Sequence, residues 1–217
     1  MKKTALTLAG AGVLAGIIYY STRKKLSFSG FRQSKTKPNI LFIGDSITAD
    51  PKWSYPALLK KMRPDVNIDV LAKSGQTTSW MLSNLPARLS KKYDKIFVYG
   101  GVNDALSYQT KTTKALSNVQ EMINLSRANG ANVYVILGYE PDKFMDIRKM
   151  PITRYIKSSK EYVPFVTRYK EIQNLYWKNL RNATIISKIN LSTLTSDGIH
   201  PNGSGQQKIA DTINWYI

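Results

Sequence analysis

The 217-residue sequence contains no cysteine. Disulfide frameworks, thiolate zinc sites, iron–sulfur clusters and a cysteine nucleophile are therefore excluded, while the compartment stays open. A single histidine, His200, rules out any site that needs two imidazoles. Acid is scarce: 14 Asp and Glu stand against 32 Lys and Arg, for a formal net charge of +18. A field of that sign favours anionic partners such as nucleic acid, acidic lipid or acidic glycan. No zinc finger or similar motif accompanies the charge, so nucleic acid is not the expected partner and an anionic polymer on the basic surface is. Repeats and low-complexity tracts are missing too. The remaining composition, 42% hydrophobic and 21% charged, is that of a globular protein. The length suits one domain whose core needs neither disulfide nor metal to stand.

Charge is absent from one long stretch. Thr4 to Thr22 runs 19 residues without a charge, about 28 Å as a helix and close to the thickness of a bilayer's hydrocarbon. Lys2 and Lys3 precede it, Tyr19 and Tyr20 sit where an interfacial aromatic belt would, and Arg23-Lys24-Lys25 closes it. A cleaved signal peptide needs small residues at the cut, and the segment here reads Ile-Ile-Tyr-Tyr-Ser-Thr-Arg. Residues 1–26 are therefore expected to be an uncleaved anchor that holds the lipid bilayer through 4–22. Residues 27–37, polar, basic and aperiodic, read as a tether, and 38–217 as the folded domain. The first 37 residues carry eight basic side chains and no acidic one. By the positive-inside count the domain would face the cytoplasm. An envelope substrate and the likeness of Lys2-Lys3 plus an apolar core to an export signal argue for the other face, and the extracytoplasmic side is the expectation.

Past Pro38 short apolar runs alternate with helical patterns. Strands are expected at Asn39–Ile43, Val66–Leu71, Lys95–Tyr99, Asn132–Leu137 and Ala183–Ser187. Helices are expected near Tyr55–Met62, Thr78–Leu89, Thr113–Ala128, Val163–Leu180 and Ser204–Trp215. Such alternation predicts a three-layer α/β/α domain around a mostly parallel sheet, with function at the C-terminal ends of the strands. Glu140–Tyr162 is long for a loop, a candidate lid or binding surface, and the stretch Lys143–Lys188 is basic, which a solvated face alone would also explain.

Following each strand to its end gives Gly44-Asp45-Ser46, then Ser74-Gly75-Gln76, then Gly101-Val102-Asn103-Asp104. The last loop carries Asp197-Gly198-Ile199-His200-Pro201. Each has an ordinary explanation alone: Ser46 and Asn103-Asp104 as helix caps, Gly75 and Asp197-Gly198 as turns, His200 as a surface residue. Together they supply what acyl transfer requires. A serine hydroxyl needs a base, and His200 is the one imidazole available. The base needs a carboxylate to fix its tautomer, and Asp197 stands three residues before it. The tetrahedral intermediate needs fixed donors, for which Ser46 N–H, Gly75 N–H and the Asn103 amide are candidates. Asp45 and Asp104 are given structural roles, holding loop backbones.

These residues resemble the four sequence blocks of the SGNH (GDSL-type) hydrolases, in order and over about residues 38–217. The resemblance implies a flavodoxin-like five-stranded sheet of order 2-1-3-4-5, with Ser46 as nucleophile, His200 as general base and acid, and Asp197 as its partner. It implies an oxyanion hole of Ser46 N–H, Gly75 N–H and Asn103 Nδ2, and neither metal nor organic cofactor. The Gly-x-Ser-x-Gly elbow of α/β-hydrolases is absent, since Thr48 occupies the second glycine position. The expected activity is a serine esterase acting on acyl, foremost O-acetyl, esters of a cell-envelope polymer. A lysophospholipase or thioesterase at the membrane, and a non-catalytic basic binding protein that keeps the fold, are the alternatives.

Overall fold

Strand β1 (Asn39–Gly44) is apolar on both sides, with Ile40, Leu41, Phe42 and Ile43 wholly buried. Such a strand is stable only between two covered faces, as in the middle of a parallel sheet. In the computed structural model it lies there. The sheet is parallel throughout, in the order β2-β1-β3-β4-β5. Its other strands are β2 (Asn67–Ala72), β3 (Lys95–Tyr99), β4 (Asn132–Ile136) and β5 (Thr184–Ile186). The helices are α1 (Ser46–Ala49), α2 (Tyr55–Met62), α3 (Thr78–Arg88), α4 (Val102–Leu106), α5 (Thr112–Ala128), α6 (Ser159–Asn179) and α7 (Gly203–Asn214). The structure describes residues 36–107, 109–138, 159–187, 189, 191 and 199–217, with side chains in α6 from residue 164 onward. Lys37–Ile217 forms one unit.

Helix α2 packs on α7, while α5 packs on both α3 and α6, which gives two helical layers with the sheet between them. Register aligns Phe42 with Phe97 and Phe97 with Tyr134. Their rings stack across three strands with centroids 5.0 and 4.7 Å apart. Tyr55 meets Phe42 edge-on at 5.5 Å, and Tyr216 meets Tyr134 at 5.7 Å. Aromatic pairs in these geometries contribute about 0.5–1.5 kcal/mol each beyond the area they bury. They fix α2 and the end of the chain onto one face of the sheet.

The expected fold class and strand order are those observed. Helix α6 starts at Ser159, four residues ahead of the expected Val163, and β5 is shorter than expected at each end. Most of the expected lid, along with Asp197 and the 4–22 segment, lies outside the described residues. Among the described residues no helix is long and apolar enough to cross a membrane.

Three neighbouring strands, β2, β1 and β3, end level. Gly44 is in register with Ala72 on one side and Tyr99 on the other. The loops carrying Ser46, Gly75 and Asn103 therefore leave the sheet side by side, on the edge where parallel sheets bind ligands.

Candidate active site

Ser46 opens α1 directly at the end of β1. Asp45 caps that helix: its Oδ1 accepts the Ile47 N–H at 3.0 Å, and Thr48 N–H donates to the Asp45 carbonyl at 3.1 Å. The turn is held from outside by Gln206 of α7, whose Nε2 donates to the Ile47 carbonyl at 3.1 Å. The same amide's Oε1 accepts the Tyr55 N–H at 2.8 Å. Thr48 Oγ1 and Tyr55 Oη lie 3.1 Å apart beneath it.

Helix α7 also delivers the histidine. Asn202 caps it, accepting the Gly205 N–H at 2.9 Å, and His200 stands two residues earlier. Ser46 Oγ lies 2.9 Å from His200 Nε2, across 154 residues of sequence. With Nε2 accepting the hydroxyl proton, the ring's own proton sits on Nδ1, the tautomer a carboxylate partner would hold. Asp197, expected in that role, lies outside the described residues.

The Gly75 loop and the Asn103 helix are tied to each other. Lys73 to Gln76 form a turn closed at 3.3 Å, whose third residue, Gly75, has φ +76°. That conformation is one L side chains rarely adopt. Asn103 Nδ2 donates to the Gln76 carbonyl at 3.0 Å, leaving its second amide hydrogen for another acceptor. Next to it the buried Asp104 carboxylate accepts the Thr78 N–H at 3.0 Å and the Thr78 hydroxyl at 2.6 Å. Asn118 Nδ2 donates to Thr78 Oγ1 at 3.0 Å and to Ser79 Oγ at 2.9 Å. Asp104 thus binds α4 to the start of α3, and Asn118 ties that start to α5.

Burial dominates the electrostatics. The Asp45 carboxyl is 2% exposed, and its Oδ2 has no hydrogen-bond partner among the described residues. Desolvation pushes it from 3.8 up to about 7, against the Ile47 N–H and the positive charge that His200 can carry, and with added repulsion from Asp104. Asp104 is raised by burial as well, opposed by its two bonds from Thr78. Tyr99 and Tyr176, buried close to these carboxyls, are held well above the usual phenol range. Among the described residues no three His, Asp or Glu side chains gather as a metal site.

Sequence reasoning placed Ser46, Gly75, Asn103 and His200 on this edge, and the structure brings the serine and the histidine into contact. It missed Gln206 and Asn118. Both left a signal, a polar residue on an otherwise buried helical stripe. Gln206 precedes Ile209, Ala210 and Ile213, and Asn118 lies among Ala115, Val119 and Met122.

A family model described as the GDSL-like Lipase/Acylhydrolase family matches residues 42–208, from within β1 into α7. The chain belongs to that family. As a member it is a hydrolase of ester bonds. No curated protein matches this hydrolase. Solved structures do, with sequence identities that establish the fold alone. The hydrolase is similar to TesA at 22% identity, over 82% of its own chain and 96% of the other, with a TM-score of 0.56. It is similar to the psychrotrophic esterase EstA from Pseudoalteromonas sp., a structure inhibited by monoethylphosphonate, at 20% identity over 81% and 94% of the two chains and a TM-score of 0.56. It is also similar to the acetyl xylan esterase AlAXEase at 18% identity, over 82% and 99% of the chains, with a TM-score of 0.60.

Proposed function

We propose that this hydrolase is a serine esterase that removes acyl groups, foremost O-acetyl, from a cell-envelope polymer by way of an acyl-enzyme. The 2.9 Å approach of Ser46 Oγ to His200 Nε2 carries the reading. Oγ attacks the ester carbonyl while Nε2 takes its proton. The tetrahedral oxyanion is received by the N–H groups of Ser46 and Gly75 and by Asn103 Nδ2. Collapse breaks the acyl–oxygen bond, and the imidazolium returns its proton to the departing alcohol. Water then repeats the sequence on the acyl-enzyme with His200 again as base. Asp197 holds Nδ1–H and stabilises the imidazolium.

The preference for acetyl esters of an anionic polymer is supported by the net charge of +18 and by the fold shared with an acetyl xylan esterase. The family's name keeps a lipid acyl ester as the second reading. Ser46→Ala should abolish hydrolysis and labelling by a fluorophosphonate probe while near-ultraviolet circular dichroism is unchanged. Labelling that survives would place the nucleophile elsewhere. Turnover of chromogenic acetyl esters against long-chain esters separates the two substrate readings.

Residues 4–22 are proposed as a bilayer anchor, with the catalytic domain on the extracytoplasmic side. The full-length chain should then stay with membranes through high-salt and carbonate washes, which release proteins held by charge alone. Recovery of intact protein in the wash would end that proposal.

A further inference from the structure

Helix α4 is only five residues long, so it cannot hold its own end. The carbonyls of Asp104 and Ala105 fall in its last turn, where no later helical N–H exists to meet them. Beyond it the chain turns at once, with Thr110 N–H bonded to the Ser107 carbonyl at 3.1 Å. All of these carbonyls are met by one side chain, reaching in from α6. Arg168 Nε donates to Ala105 O at 3.0 Å. Its Nη2 donates to Asp104 O at 3.1 Å, to Ser107 O at 3.0 Å, and also to Thr110 O.

Arg168 is not a surface side chain that happens to reach. Residues 168, 172 and 176 recur at helical spacing along one stripe of α6, and Ile172 and Tyr176 are buried. Those two lie against the other end of α4. A Cβ on Gly101 would stand 3.0 Å from Ile172 Cγ2 and 3.2 Å from Tyr176 Oη. One stripe therefore packs both ends of the short helix that bears Asn103. The hydrogen bonds of Asn103 to Gln76 and of Thr78 to Asp104 lie on another side, toward α3. A forked guanidinium can satisfy several carbonyls at fixed angles, which an ammonium on a flexible stem cannot.

We propose that Arg168 is a positioning residue for the oxyanion pocket: by pinning the end of α4 it sets where the Asn103 amide meets the carbonyl under attack. This rests on the reading of Asn103 as an oxyanion donor. Water can satisfy the four carbonyls in the absence of the guanidinium but cannot fix the helix. Loss of Arg168 therefore acts on the transition state more than on substrate binding, since the amide is needed most when charge develops on oxygen.

The test is a double-mutant cycle in the full-length chain, with 4-nitrophenyl acetate as substrate and rates referred to the fraction folded by near-ultraviolet circular dichroism. Arg168→Gln should lower kcat about 10- to 100-fold, the loss expected of a displacement near 1 Å, with KM changed less than about threefold. Arg168→Lys should recover part of the rate. In an Asn103→Ala background Arg168→Gln should cost less than about threefold, because the group it positions is gone. An equal loss in both backgrounds overturns the proposal, as does a loss accounted for wholly by unfolded protein. Should Arg168→Gln not fold, the same cycle with Arg168→Lys decides, and lack of coupling there overturns it equally. If Asn103→Ala alone leaves kcat intact, the oxyanion reading fails and this proposal with it. A genuine Asn103→Ala loss without coupling sinks only the proposal.

Discussion

Replacing Asp45 by asparagine should change how the stability of the fold depends on pH, in a direction that the burial of this side chain sets. In the folded protein the carboxyl titrates at about 7 rather than 3.8. Between those values the folded chain holds a proton that the unfolded chain releases, so the folded state binds more protons and stability falls as pH rises. The contribution is fully present below about pH 4 and lost as pH passes through 7. Its span, a little over three pH units, corresponds to on the order of 4 kcal/mol. Asparagine cannot ionise, and its carbonyl oxygen can still accept the Ile47 N–H that caps α1. The variant should therefore gain on the wild type by up to that amount between pH 4 and pH 8. Urea unfolding followed by circular dichroism at intervals across this range gives the difference directly. Asp69, shifted in the opposite sense, remains in the variant and cancels in the comparison, while Asp104 keeps the contribution of its own burial in both proteins and loses only its repulsion with Asp45. Parallel stability curves for the two proteins would refute the reasoning and mean that Asp45 stays ionised under Ser46.

Two further outcomes are expected at α4. Asn103→Ala should reduce kcat by roughly 10²–10³ with KM little changed, and steady-state kinetics that show full turnover would leave Asn103 a role in the helix only. Gly101→Ala places a side chain at φ +118° and against Ile172 and Tyr176. It should cost about 1–3 kcal/mol of stability in urea unfolding, and a midpoint equal to the wild type would contradict the packing described.

The sheet was legible because parallel strands are buried on both sides and read as apolar runs. Lys95–Tyr99 and the helix Tyr55–Met62 fall where the pattern put them. The two helices that the pattern did not show, α1 and α4, are the ones that hold Ser46 and Asn103. Four or five residues are too few to display a helical period, and both are held by partners far along the chain, Gln206 for the first and Arg168 for the second. Residue types and order pointed to the chemistry of Ser46 and His200. Of their supports, Gln206 showed only as a polar residue on a buried stripe, and Arg168 not at all, since an arginine within a helix looks the same whether it faces water or a neighbour's carbonyl.

Ser46 and His200, the proposed nucleophile and base, stand near opposite ends of the folded domain's sequence, and α7 carries the His200 loop together with the Gln206 amide that steadies the turn at Ser46. A transient opening that lifts α7 off α2 removes both at once while leaving the sheet paired. On the proposed mechanism, competence is thus tied to the seating of α7 on α2 rather than to the pairing of the sheet. In mild denaturant the enzyme should fall silent before its strands exchange their amide hydrogens.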